Sequence, residues 1–153
     1  MQVEKYPVII GETSMIFEFT SEGAKGNVHK LIIYSKTHLY NLYNLGFGDK
    51  DEATGKMDDR VVTNNGDGGK VLATVAFTLY AFMEKFPDAI VYATGSTETR
   101  TRLYRSGISK HLDEISSDFK IYGLIIGGNW QLFERQTDYE AFLVIKKNNT
   151  FTI

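Results

Sequence analysis

The sequence predicts an α+β fold with a mostly antiparallel central sheet of about six strands and two main helices, in the order βββ-α-β-α-ββ. Three observations lead there. Early stretches such as "MIFEFTSE" and "NVHKLIIYSKT" alternate apolar and polar residues with period two, the mark of strands with one buried face. "GKVLATVAFTLYAFMEKFP" repeats apolar residues at helical spacing and stops at a proline. After it, the short apolar runs "AIVYATG", "KIYGLII" and "YEAFLVIKK" surround a second helical pattern, with no internal repeat.

In the first strand, Ile16, Glu18 and Thr20 oppose Phe17 and Phe19; after the break "GAKG" the second runs from Asn27 to Thr37. The third, "HLYNLYNLGFG", sets Leu39, Tyr43 and Leu45 against Tyr40 and Leu42, so the three read as a meander. From Phe47 to Gly69 the chain is crowded with Gly, Asp and Asn and reads as one long acidic loop, of the kind that is functional or mobile. The helix at 68–86 carries a stripe of Val71, Leu72, Val75, Leu79, Phe82, Met83 and Phe86. A second helix, 97–118, is capped by Ser96 or Thr97. It buries Leu103, Ile108, Leu112, Ile115 and Phe119 on one side, with a kink or a cap at Ser106-Gly107. The last two strands join across "GGNWQLFERQTD", where Trp130 reads as a core anchor.

A chain of 153 residues is expected to be a single domain, 1–153, burying about 70% of its unfolded surface. The formal charge of -2 gives no general attraction to nucleic acid or to anionic membrane, so polyanion binding needs a local patch. The absence of cysteine excludes disulfides, thiol catalysis and thiolate metal sites, and a cytoplasmic location fits. The N-terminus lacks the pattern of a signal peptide, and the longest apolar helical stretch falls short of the ~20 residues of a membrane span. His29, His38 and His111 are scattered, and neither a hydrolase triad nor a P-loop is present.

Two stretches carry anion chemistry. In "TNNGDGGKVL", Gly66, Gly68 and Gly69 lead into the first helix, where unpaired N–H groups and the positive dipole end suit a phosphate; the same glycines also serve a plain turn. In "GSTETRTRLYRSGI", Ser96 and Thr97 precede Arg100, Arg102 and Arg105, with Glu98 the one acid among them. Hydroxyls, free amides and a guanidinium fork there suit an oxyanion. The alternative is a capped helix with Arg102 and Arg105 on a solvated face and Arg100 paired with an acid from the long loop.

Thr63-x-x-Gly66-x-Gly68 resembles the pyrophosphate loop of Gcn5-related N-acetyltransferases, and "TETRTRLYRSGI" is similar to a later segment of that family. Thr63 stands where the family has Gln or Arg, Thr97 where it has Asn, and Gly107 comes one residue early. The resemblance implies acetyl-CoA as cofactor, with CoA or another phosphate-bearing ligand between the two helix N-termini and Tyr104 protonating the leaving thiolate. "GSTETRTRLYRSGI" and "YEAFLVIKK" also resemble signature segments of a family of small bacterial single-domain proteins of unknown function. Without such a ligand, the arginine-rich helix implies a non-catalytic module for a partner protein or nucleic acid.

Overall fold

A computed structural model describes residues 4–58, 63–95 and 97–150. The chain divides into two compact units, one of residues 4–35 and 45–85 and the other of residues 36–44 and 86–150. Among the described residues nine strands, β1 (Ile9–Ile10), β2 (Ile16–Gly23), β3 (Gly26–Lys36), β4 (Leu42–Lys50), β5 (Met57–Asp58), β6 (Ile90–Ala93), β7 (Phe119–Ile125), β8 (Trp130–Leu132) and β9 (Tyr139–Lys146), hydrogen-bond in the order β1-β2-β3-β4-β6-β9-β7-β8, with β5 on β4. The ladders β1/β2, β2/β3, β4/β5, β6/β9, β7/β9 and β7/β8 are antiparallel. The expected six strands fall short because β1 (Ile9–Ile10), β5 (Met57–Asp58) and β8 (Trp130–Leu132) are two or three residues long, too short for a periodic signal.

In the first unit, β2 (Ile16–Gly23) turns Phe17, Phe19 and Ser21 inward, as its alternation requires. β3 (Gly26–Lys36) lays Ile32 opposite Phe17 and Lys30 opposite Phe19. Above this face lies α1 (Gly68–Lys85). Phe82 stacks on Tyr34 with ring centroids 4.2 Å apart, and the Tyr34 hydroxyl bonds Thr78 Oγ1 at 3.0 Å. Full burial of a side chain such as Phe82 contributes about 1.5–3 kcal/mol. The buried stripe contains Val71, Val75, Phe82 and Met83 as expected, but Thr74 and Thr78 replace Leu72 and Leu79 in it. Each threonine hydroxyl bonds a carbonyl of its own helix, which makes burial tolerable. α1 ends two residues before Pro87, whose ring disfavours helix in the preceding residue.

β4 (Leu42–Lys50) corrects two expectations. The third strand does not begin at His38: Thr37 to Asn41 form a turn, closed by Thr37 N–H donating to the Leu42 carbonyl at 3.1 Å, with Asn41 left-handed at φ 57°. Nor is the stretch from Phe47 a loop throughout, since β4 runs on to Lys50 and pairs with β5 through Asp49↔Asp58 and Lys50↔Met57. Residues 59–62 of the expected loop lie outside the described residues.

The second unit is built on β9 (Tyr139–Lys146), where Ala141 to Ile145 are all buried, the continuous apolar run of a strand covered on both faces. β6 (Ile90–Ala93) and β7 (Phe119–Ile125) flank it. Gly123 is required on β7 because a Cβ there would sit 2.4 Å from the Tyr139 ring. Trp130 on β8 is half-buried, its ring edge-on to Tyr92 at 6.3 Å, rather than fully in the core.

The expected helix 97–118 is two helices, α2 (Glu98–Lys110) and α3 (Leu112–Asp118). The break falls at His111 (φ -113°, ψ 20°), not at Ser106-Gly107. Gly107 stays helical and buried. The buried face of α2 is Arg100, Tyr104 and Gly107; Leu103 and Ile108 are half-buried beside it, and so are Leu112 and Ile115 on α3. No helix of the described residues is long and apolar enough to cross a membrane.

Candidate functional site

Thr97 caps α2 from an extended conformation (φ -132°, ψ 159°), its hydroxyl accepting from Arg100 N–H at 3.2 Å and its carbonyl from Thr101 N–H at 3.1 Å. Glu98 in the first turn complements the dipole. Ser96 lies outside the described residues. Gly95 runs so close to this turn that a Cβ would meet Thr101 N at 2.4 Å, and its own N–H donates to Thr101 Oγ1 at 3.1 Å.

Behind the cap sit two buried polar side chains one helical turn apart, Arg100 at 4% exposure and Tyr104 at 5%. Long helical side chains lean toward the N-terminus, which carries the Tyr104 ring back over the turn of Arg100. The Tyr104 hydroxyl is buried with no hydrogen-bond partner among the described residues. Burial pushes the phenol up to about 12, with the Arg100 charge pulling it partly back. A buried cation beside a buried donor is a local chemistry suited to an oxyanion.

The other arginines point elsewhere. At about 100° per residue, Arg102 and Arg105 fall on the side of α2 away from Arg100. Arg102 lies 3.6 Å from Glu98 and Arg105 2.5 Å from Asp138, both exposed pairs. The arginine run is therefore one buried guanidinium and two tied surface charges, not a single cationic stripe.

Gly66, Gly68 and Gly69 belong to the first unit and Thr97 to Arg105 to the second, so each end is described in its own unit. Gly66 is left-handed at φ 77°, and a Cβ at Gly66 or Gly69 would meet nothing within 4 Å. The residues between and before them are tied to the sheet. The Asp67 carboxylate accepts from the Tyr6 and Ser21 hydroxyls, each at 2.5 Å. Asn65 bonds Gly26 O at 2.8 Å and takes the Lys25 N–H at 2.7 Å. Thr63 donates its hydroxyl to Asp49 at 2.6 Å, and Lys30 reaches Asp49 and the Thr63 carbonyl. This loop thus holds a carboxylate beside its glycines and uses its polar groups to dock on β2, β3 and β4.

Lys30, Asp49, Asn65 and Tyr6 are absent from the residues singled out by sequence. Phase alone marks two of them: Lys30 is in step with Ile32 and Tyr34, and Asp49 with Tyr43, Leu45 and Phe47. Among the described residues no group of three or more His, Cys, Asp or Glu side chains is placed to hold a metal ion.

The sequence profile of one family, described as "Family of unknown function (DUF6934)", matches residues 2–147. No curated protein and no solved structure matches the chain.

Proposed function

As the chain belongs to that family of unknown function, we propose a reading from its residues: the protein binds a small phosphate-bearing ligand, CoA among the candidates, through Arg100, Tyr104 and the first turn of α2. The observation that carries this is the Tyr104 hydroxyl, buried without a hydrogen-bond partner among the described residues and one turn from a buried guanidinium. An unpaired buried hydroxyl costs about 1–3 kcal/mol, and a phosphate oxygen arriving there would remove that cost. The amides of Glu98 and Thr99 at the positive end of α2 add donors for the same charge.

With the short β1, β5, α3 and β8 set aside, the element order is the βββ-α-β-α-ββ expected from the sequence, and an acetyltransferase-like reading rests on the two short motifs alone. The phenol itself favours binding over proton transfer. At about 12 it stays protonated across physiological pH and donates a hydrogen bond. Passing its proton to a thiolate of ordinary pKa, about 8.5, is uphill by roughly 3–4 units, so Tyr104 serves better as a donor than as a general acid.

Thermal melting tests the reading. CoA and inorganic phosphate should raise the melting temperature of the wild type by ligand linkage, and Tyr104→Phe should lose most of that rise. Absence of any rise in the wild type with either probe ends the proposal.

A further inference from the structure

The β1/β2 ladder opens on itself. Ile10 pairs with Phe17 and Ile9 with Glu18, and Gly11 N–H donates to the Ile16 carbonyl at 2.8 Å, so the even residues of β2 turn their backbone groups toward β1. Glu22 obeys the same parity, since its N–H donates to the Tyr6 hydroxyl at 3.0 Å and its carbonyl lies 3.0 Å from that hydroxyl. Thr20, midway between, must also aim its N–H and C=O at this edge. In register its partner would be Pro7, which has no N–H, and no backbone hydrogen bond joins Thr20 to residues 6–8. The chain bows away there, and a cleft of about 470 Å³ fills the gap.

The cleft size lies within the range of small-molecule sites, roughly 300–1,000 Å³. Along β2 it is closed at both ends, by the Ile9↔Glu18 pair and by the bond from Glu22 N–H to the Tyr6 hydroxyl. Four residues of strand span about 13 Å, room for one or two extended residues and not for a through-running strand. Val8 and Ile9 give one wall an apolar surface. Charge in the cleft is unequal, with carboxylates Glu18 and Glu22 against the single ammonium of Lys50. Lys50 is held by Glu18 at 2.7 Å, and that bond raises its pKa. His29 is turned to Thr20 Oγ1 at 3.0 Å and stands 3.7 Å from Glu52. Glu22 makes no ion pair among the described residues, so its carboxylate is the charge left for a ligand.

We infer that this cleft is a second binding site, for a small molecule carrying a primary ammonium next to an amide, the chemistry of an amino-acid amide or a dipeptide amino-terminus. The ligand amide completes the ladder on the Thr20 N–H and C=O, as a strand would. Its ammonium meets Glu22, and its side chain lies on Val8 and Ile9. Nothing in this site involves α2, so it stands or falls independently of the phosphate reading.

The test is a titration followed by amide NMR, with leucyl-glycine amide as probe and N-acetyl-leucyl-glycine amide as control. The free-amine probe should give saturable shifts centred on Val8, Thr20 and Glu22, with affinity at least about tenfold above the acetylated control, as a charge-assisted bond implies. Glu22 is exposed, so Glu22→Gln keeps the fold and should lose about the same factor. Val8→Trp, filling the slot, should abolish the shifts while leaving the rest of the spectrum in place. Shifts that fail to saturate, equal binding of the acetylated control, or a Glu22→Gln variant that binds like the wild type overturns the inference.

Discussion

Removing one atom from Tyr104 separates a ligand donor from a packing residue. Tyr104→Phe keeps the ring and deletes a hydroxyl that is buried without a partner among the described residues. Such a group costs about 1–3 kcal/mol, so the variant without ligand should be more stable by that amount. For a chain of this length this is a rise of roughly 2–4 °C in melting temperature per kcal/mol. Alkaline pH gives an independent signature. The folded phenol is raised from 10.0 to about 12, so its neutral form stabilises the folded state. That contribution is complete below pH 10 and is lost as pH rises through about 12; a two-unit gap amounts to about 3 kcal/mol. Urea denaturation followed by circular dichroism, at neutral pH and through the alkaline window, reads both effects. The variant should start higher and lack this part of the alkaline loss. A variant less stable than the wild type, with an unchanged alkaline slope, would refute the assignment of an unpaired buried phenol.

Lys30→Met leaves Asp49 buried without its counter-charge and should cost about 3–5 kcal/mol in urea denaturation, most of it recovered by the double change Lys30→Met/Asp49→Leu. Thr97→Ala removes the cap of α2 and should lower stability by about 1 kcal/mol, with loss of amide protection confined to the first turn in hydrogen exchange. Gly123→Ala forces a methyl to within 2.4 Å of the Tyr139 ring, and the melting temperature should drop by the equivalent of about 1–3 kcal/mol.

Long periodic elements were legible in the sequence. β2, β3, α1 and β9 fall where alternation, helical spacing and apolar runs put them, because each buries a whole face or both. The short strands β1, β5 and β8 were not, since two or three residues take their conformation from a neighbour's ladder. The α2 face escapes the pattern for a different reason. Arg100, Tyr104 and Gly107 hold the i, i+4, i+7 positions of a core stripe, but none is an aliphatic residue, so hydrophobicity alone points to Leu103 and Ile108. Likewise Lys30 and Asp49 sit in core phase on β3 and β4, where charge argues for solvent and pairing supplies the exception. The Thr20 opening needed the register of β1 against β2, which depends on where Pro7 falls opposite a strand more than ten residues away.

The most direct measurement is a calorimetric titration of the wild type and of Tyr104→Phe with CoA. CoA should bind the wild type with measurable heat and the variant with an affinity at least about tenfold lower, the equivalent of one charge-assisted hydrogen bond. Equal affinity for both proteins, or no binding of CoA to the wild type, contradicts the proposed site.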